Sequence, residues 1–190
     1  MNDFLDSVLK LFRYYKSLGE STMEQLQDHE LHWKMNEESN SISVIVSHLS
    51  GNMLSRWTDF LNSDGEKTWR NRDLEFEEGT KSRAEIFESW NKGWDCLFEA
   101  LQSIKPEDAD KIVYIRNQVH TVVDAIHRQL AHYSYHVGQI VFIGKLLKGS
   151  NWNNLSIPKS ESQQYNQVKF SKEKTKEHFT DGIINALKMK

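Results

Sequence analysis

The 190-residue chain has 38% hydrophobic and 27% charged residues, a balance typical of a folded globular protein and not of a disordered one. With a formal net charge of −3, the chain has no excess of basic residues for binding nucleic acid, so we expect no nucleic-acid partner. The single cysteine, Cys96, excludes an intramolecular disulfide and a cysteine-based metal site, and it favours a reducing compartment.

The chain carries no sequence signal for export or membrane insertion. The first residues, MNDFLDSVLK, mix charged with apolar side chains and contain no signal-peptide core. No window approaches the roughly 18 consecutive apolar residues that a membrane-spanning helix needs. We therefore expect a cytoplasmic protein without a membrane partner.

Apolar residues at steps of three and four predict two helices in the first third of the chain. The first covers residues 2–27, and Gly19 weakens its middle by about 1 kcal/mol relative to alanine, which allows a break there. The second covers residues 41–61, and Asn40 or Ser41 can cap its start.

Two stretches without a helical period are predicted to be loops. Residues 29–40 contain Trp33, which we interpret as the apolar anchor of this loop. Residues 62–80 are rich in charged side chains. The aromatic side chains of Trp69 and Phe76 are expected to anchor this loop by packing against the rest of the protein. A loop of this length is often functional, but a solvated connector fits equally well. Its glutamate-rich run, EFEEG, is interpreted as solvent-exposed.

Two further helices are predicted in the second half. The sequence SRAE at residues 82–85 matches a capping box and opens a third helix, which stops before Pro106. Residues 112–115 favour a strand, but this segment is short and lacks a predicted partner strand. We therefore interpret it as an extended segment that leads into the fourth helix. That helix covers residues 121–148 and ends at Gly149, which suits a left-handed terminal position.

Four amphipathic helices without a second strand predict an all-α fold, a four-helix bundle with long loops between its helices. Residues 1–158 are expected to form this domain. Residues 159–190 are expected to form a C-terminal extension that can hold one short helix.

Three histidines lie on the flanks of the predicted helices. His132 and His136 are four residues apart and so share one face of the fourth helix. His48 lies about 130° from the centre of the apolar stripe of the second helix. Two imidazoles at the spacing of His132 and His136 can hold one metal ion, which makes this pair the sharpest chemical feature of the sequence. Such a pair is more often two solvated side chains, so spacing alone leaves both interpretations open.

The other histidines that we considered, and the cysteine, are interpreted as structural. His29 and His32 lie in a predicted loop, His120 at a helix start and His127 on the surface. Cys96 is interpreted as a small core residue and not as a nucleophile, because no base is adjacent to it in sequence.

The segments NSISVIVSHLSGNMLSRW and HRQLAHYSYHVGQI, together with the loop around residues 69–72, resemble the DinB-like superfamily, also called YfiT-like, and most closely an uncharacterised bacterial branch of it. The resemblance extends to about Pro158. It implies a four-helix bundle with a divalent metal ion held by three histidines, and the matching positions are His48, His132 and His136. Characterised members transfer low-molecular-weight thiols such as bacillithiol or isomerise maleylpyruvate with mycothiol, and many are homodimers.

A three-histidine site has a defined chemistry. Neutral imidazoles bind zinc or nickel well, and three protein ligands leave coordination positions open for water or substrate. A metal held in this way makes water or a thiol a nucleophile near neutral pH. The second nitrogen of each ring needs an orienting partner, and the candidates nearest in sequence are Asn52, Gln129 and Gln139.

Two functions follow as hypotheses. The first is a metal-dependent low-molecular-weight-thiol S-transferase or hydrolase, acting on a small thiol and an electrophile, with Arg56, Arg70 and Arg72 available to an anionic thiol. The second is a non-catalytic, metal-stabilised helical bundle that acts as a binding protein. The sequence identifies no acid or base beside the metal, so it does not decide between them.

Overall fold

The computed structural model describes residues 2–188, and over these residues the chain is mostly helical, as predicted. The helices are, in chain order, α1 (Asn2–Glu24), α2 (Ile42–Trp57), α3 (Arg83–Ser103), α4 (Val122–Lys148), α5 (Ser162–Phe170) and α6 (Phe179–Lys188). Within the described range no helix combines the length and the apolar character needed to cross a bilayer.

The four long helices share one apolar core. Helix α1 contacts α3 and α4, and α2 contacts the same two helices. Four almost fully buried aromatic side chains meet at the centre of this core, one from each long helix: Phe12, Trp57, Trp94 and Tyr133. The Phe12 ring lies 5.9–6.4 Å from the other three, within the range of favourable aromatic pairs. This cluster therefore joins α1, α2, α3 and α4.

Local capping residues explain where three of the long helices begin. The side chains of Ser41 and Thr121 each accept a hydrogen bond from the third backbone N–H that follows them. Ser82 and Glu85 form the predicted capping box. Gly149, with a φ of 52°, ends α4.

The predicted C-terminal ends of the first two helices are wrong by three and four residues. Helix α1 ends at Glu24 and α2 at Trp57. Shortly after α2, Asp59 adopts a φ of 50°, a conformation that an α-helix cannot continue through. The anchor of the loop that follows α1 also differs from the prediction. Leu31, in the 3-10 turn Asp28–His32, is fully buried, whereas Trp33 is only half-buried.

Helix α1 is continuous through Gly19, and this glycine makes room for a neighbouring side chain. A Cβ atom at position 19 would lie 2.5 Å from the ring of Trp90 on α3, which is fully buried and cannot move aside. The glycine thus permits the close approach of α1 and α3 at this level.

We expect Gly19→Ala to lower the free energy of unfolding by about 1–3 kcal/mol, because overpacking outweighs the better helix propensity of alanine. Gly182→Ala is the matched control, since an added Cβ on α6 meets no atom within 4 Å. This second variant should be neutral or gain up to about 1 kcal/mol. Chemical denaturation of both variants provides the measurement, and a stabilised Gly19→Ala variant would contradict the packing argument.

The prediction that residues 112–115 lack a partner strand is wrong, and the fold is therefore not purely α-helical. Strand β1 (Ile112–Ile115) pairs antiparallel with β2 (Gln118–Thr121), in a register that places Ile112 opposite Thr121. The two residues between the strands, Arg116 and Asn117, have φ values of 54° and 61°, as a tight two-residue hairpin turn requires.

This turn is stabilised by a distant residue. The Asp64 carboxylate accepts hydrogen bonds of 2.8 Å from the backbone N–H groups of both Arg116 and Asn117. Burial alone would raise the pKa of Asp64, but these hydrogen bonds outweigh burial and lower it. These hydrogen bonds consequently connect the loop after α2 to the hairpin before α4.

The C-terminal extension contains two short helices instead of the one expected. Helix α5 is exposed along its length. Helix α6 packs against α1, where Lys10 and Asp181 form a 2.7 Å ion pair and the Tyr14 and Phe179 rings lie 6.0 Å apart.

Candidate metal centre

The structure brings His48 of α2 together with His132 and His136 of α4. One ring nitrogen of each residue lies within 4.8 Å of the corresponding nitrogens of the other two. The Nε2 atoms of His48 and His132 are 3.2 Å apart. Two nitrogens that each lie about 2.0–2.1 Å from a tetrahedral zinc ion are themselves about 3.3 Å apart. The His48–His132 pair therefore has the spacing of two ligands on one metal ion, and the three residues together could hold such an ion.

Two of the three rings are oriented by a hydrogen bond at Nδ1. His48 Nδ1 lies 3.0 Å from the Glu75 carboxylate, and His136 Nδ1 lies 2.8 Å from Oε1 of Gln139. Each of these oxygens accepts the Nδ1 proton, which leaves Nε2 with the free lone pair that a metal ligand needs.

The three residues predicted from sequence to orient the imidazoles have different environments. Gln139 contacts His136, as described above. Asn52 is buried and accepts a hydrogen bond from the Tyr133 hydroxyl, at 3.0 Å. Gln129 is buried one turn before His132, and its Oε1 atom has no hydrogen-bond partner among the described residues.

Glu75 is a residue of the candidate site that the sequence prediction missed. It lies in the run interpreted as solvent-exposed, yet its side chain is almost buried. Arg70 holds both carboxylate oxygens, with Nε 2.7 Å from Oε1 and Nη2 2.8 Å from Oε2. Burial alone would raise the pKa of Glu75, but the hydrogen bonds from Arg70 and His48 lower it, so the group is ionised at neutral pH.

A glycine on α2 allows Glu75 to lie beside His48. A Cβ atom at Gly51 would overlap the Glu75 carboxylate, so any larger residue would displace the acid from the helix surface. Gly51 lies one turn after His48. A glycine at this position is the one local feature of the sequence that indicates a side chain packed closely against this face of α2.

The loop between α2 and α3 forms one wall of the centre. The ring of Phe76, in the 3-10 turn Asp73–Phe76, lies 4.7 Å from the ring of His48. The guanidinium of Arg72 lies 4.8 Å from the centre of the Phe76 ring. Trp69 is 59% exposed, so the prediction that it anchors this loop is wrong.

The two cluster histidines of α4, His132 and His136, are neutral at pH 7. Burial, together with the charges of His136, His48, Arg56 and Arg70, lowers the pKa of His132 to about 3. Burial also lowers the pKa of His136. Neutral imidazoles keep the lone pairs that metal coordination requires.

A cavity of about 380 Å³ opens beside the three histidines. Asn52, Phe76 and Gln129 contribute to its wall, and no aspartate or glutamate and no residue of the described C-terminal extension does. Its other lining residues are five arginines, namely Arg56, Arg70, Arg72, Arg116 and Arg128. The cavity lining is therefore cationic in a protein whose net charge is −3, and Glu66 and Glu75 pair with three of these arginines.

The remaining histidines considered from sequence lie outside the cluster. His32 contacts the Lys81 carbonyl, and His127 packs edge-on against Phe4. His120 lies in β2 and not at the start of α4, and it contacts Arg128. Over residues 2–188, His48, His132 and His136 form the one group of three or more potential ligand residues that converge.

Fold and site together define a mostly helical protein with a histidine cluster that can hold a metal ion beside a cationic cavity. A family model described as "Protein of unknown function (DUF1572)" matches residues 1–161, and the chain belongs to this family. Comparisons with curated proteins and with solved structures found no match.

Proposed function

We propose that this protein is a metal-dependent enzyme, a low-molecular-weight-thiol S-transferase or hydrolase, whose divalent zinc or nickel ion is held by His48, His132 and His136. The observation that carries the proposal is the convergence of three ring nitrogens within 4.8 Å, with two of the rings already oriented by Glu75 and Gln139.

We further propose that α1, α2, α3 and α4 form the four-helix bundle of the DinB-like superfamily. Two observations support this assignment: the contacts of α1 and α2 with both α3 and α4, and the aromatic cluster to which each helix contributes one ring. In this arrangement α2 and α4 face each other, so the third histidine comes from a different helix than the His132–His136 pair.

The residues in and around the cavity have separate roles in such an enzyme. When bound, the metal supplies Lewis-acid activation of a water or thiol. Glu75 and Gln139 hold the imidazoles, and the cavity arginines attract and orient an anionic substrate. Glu75 is committed to Arg70 and His48, so we assign it a positioning role and not that of a general base.

The enzyme hypothesis predicts metal-dependent conjugation of a low-molecular-weight thiol to an electrophilic acceptor. The assay compares several thiols, with simple esters as hydrolysis substrates. Turnover should fall by more than about 100-fold in His132→Ala, because one of three ligands is lost. His127→Ala, on the same helix but outside the cluster, should retain activity. The absence of turnover with every thiol and ester would overturn the enzyme hypothesis and favour a non-catalytic, metal-stabilised binding protein.

The resemblance also implies a homodimer, and we include it in the proposal. Helix α4 carries exposed apolar side chains along one face, at Tyr135, Phe142 and Leu146, and such a face favours contact with another chain. Light scattering should give twice the chain mass of 22.3 kDa, and Phe142→Glu should reduce the measured mass to that of one chain. A native protein with the mass of a single chain would contradict the dimer.

A further inference from the structure

Two of the arginines in the cavity have no acidic partner. Glu66 lies 3.2–3.3 Å from Arg56, Arg70 and Arg116. Among the described residues, no carboxylate lies within ion-pair distance of Arg72 or Arg128. Arg72 packs over the Phe76 ring, and Arg128 contacts a ring nitrogen of His120 at 3.0 Å. Two guanidinium groups at the cavity thus lack a counter-charge.

The cavity wall also contains two buried polar atoms that lack hydrogen bonds within residues 2–188. Gln129 is 3% exposed and its Oε1 has no partner, and Arg56 is 5% exposed and its Nε has none. Buried polar atoms are nearly always paired in folded proteins, and leaving one unpaired is destabilising. Both residues line the cavity, so a bound molecule is well placed to supply the missing partners.

The side chains that line this cavity favour a negatively charged ligand. Its cationic groups are arginines, whose planar guanidinium groups bind carboxylate and phosphate through paired hydrogen bonds. The absence of carboxylates from the lining means that a cationic substrate would find no favourable partner there. The histidines occupy one side of the same cavity, so a molecule bound to the arginines lies beside the proposed metal.

We propose that the cavity binds a small anionic substrate, with its carboxylate or phosphate groups on Arg72 and Arg128 and a hydroxyl or amide group against Gln129. This inference rests on the proposed function, because it names the substrate class of the same site. It assigns Arg72 and Arg128 to charge recognition and Gln129 to recognition of a neutral polar group.

Calorimetric titration of the metal-loaded full-length protein with glutarate, and with its neutral analogue glutaramide, tests the role of the arginines. Glutarate should bind at least tenfold more tightly than glutaramide, and Arg72→Gln and Arg128→Gln should each weaken glutarate binding about tenfold or more. Arg13→Gln is the control, because Arg13 is an exposed arginine of α1 that packs on Phe98 and does not line the cavity. Equal binding of the two probes, or an equal loss in the control, would overturn the proposal.

A second pair of probes tests the role of Gln129. The native protein should bind 2-hydroxyglutarate more tightly than glutarate, since the added hydroxyl can donate to the unpaired Oε1. Gln129→Met, which keeps the length of the side chain, should abolish this preference at equal metal content. A preference that persists in Gln129→Met would show that another group recognises the hydroxyl and would overturn this assignment.

Metal content, measured on the same samples, separates this proposal from the proposed function. Arginine-dependent glutarate binding in a protein that takes up no metal would support the anion site and contradict the metal enzyme. A protein that retains its metal but does not distinguish glutarate from glutaramide would overturn the anion site alone.

Discussion

About one divalent metal ion per chain is the expected content of the native protein, purified without a histidine tag, and we expect His48→Ala and His136→Ala to lose it. Each substitution removes one of three converging ligands, and the remaining two cannot compensate because no other potential ligand residue among the described ones joins the cluster. Affinity for zinc or nickel should fall by more than about 100-fold. Elemental analysis and metal titration of the native and variant proteins provide the measurements.

Two controls separate the loss of a ligand from the loss of the fold. Circular dichroism should show the same helical content in the native protein and both variants. His127→Ala should retain the metal, since this residue packs against Phe4 on another face of α4. A native protein without metal, even after dialysis against zinc and nickel, would contradict the three-histidine site.

The core could be predicted from the sequence because it follows helical periodicity. Phe12, Trp57, Trp94 and Tyr133 each fall on the apolar stripe of a predicted helix, and all four are buried where the helices meet. Local hydrogen bonds determine where α2 and α3 begin, which explains why the capping residues of these two helices could be identified in the sequence.

The histidine cluster could be predicted only in part. The spacing of His132 and His136 indicates a shared helix face, but it does not distinguish two ligands from two solvated side chains. His48 is 84 positions from His132. Only the resemblance to a known superfamily predicted that His48 belongs to the same site as the His132–His136 pair. The structure now places all three within reach of one ion.

The features that the sequence prediction missed depend on long-range contacts within aperiodic segments. The hairpin turn at Arg116 and Asn117 contains no glycine, and its positive φ values are supported by Asp64, more than 50 positions away. Glu75 is one of several glutamates in a charged run, and it differs from them only through its contacts with Arg70 and His48. No helical periodicity marks such residues.

The largest effect outside the histidines is expected for Glu75→Gln. Arg70 is only 2% exposed, and without the Glu75 carboxylate it keeps a single carboxylate partner, Glu66 at 3.3 Å. Breaking a buried ion pair should lower the free energy of unfolding by about 3 kcal/mol. The weaker acceptor at His48 Nδ1 should also lower metal affinity about 10- to 100-fold. Chemical denaturation and metal titration measure the two effects.

Glu77→Gln is the matched control, because Glu77 is exposed and forms no ion pair in the described part of the chain.

A double variant separates the role of Glu75 in stability from its role in positioning His48. Replacing both buried charges, with Arg70→Met and Glu75→Leu, should recover much of the lost stability because no unpaired charge is left in the interior. Metal affinity should remain low, since leucine cannot accept the Nδ1 proton of His48. Recovery of both properties would mean that Glu75 serves only to neutralise Arg70. Recovery of stability alone would assign the carboxylate to orientation of the histidine.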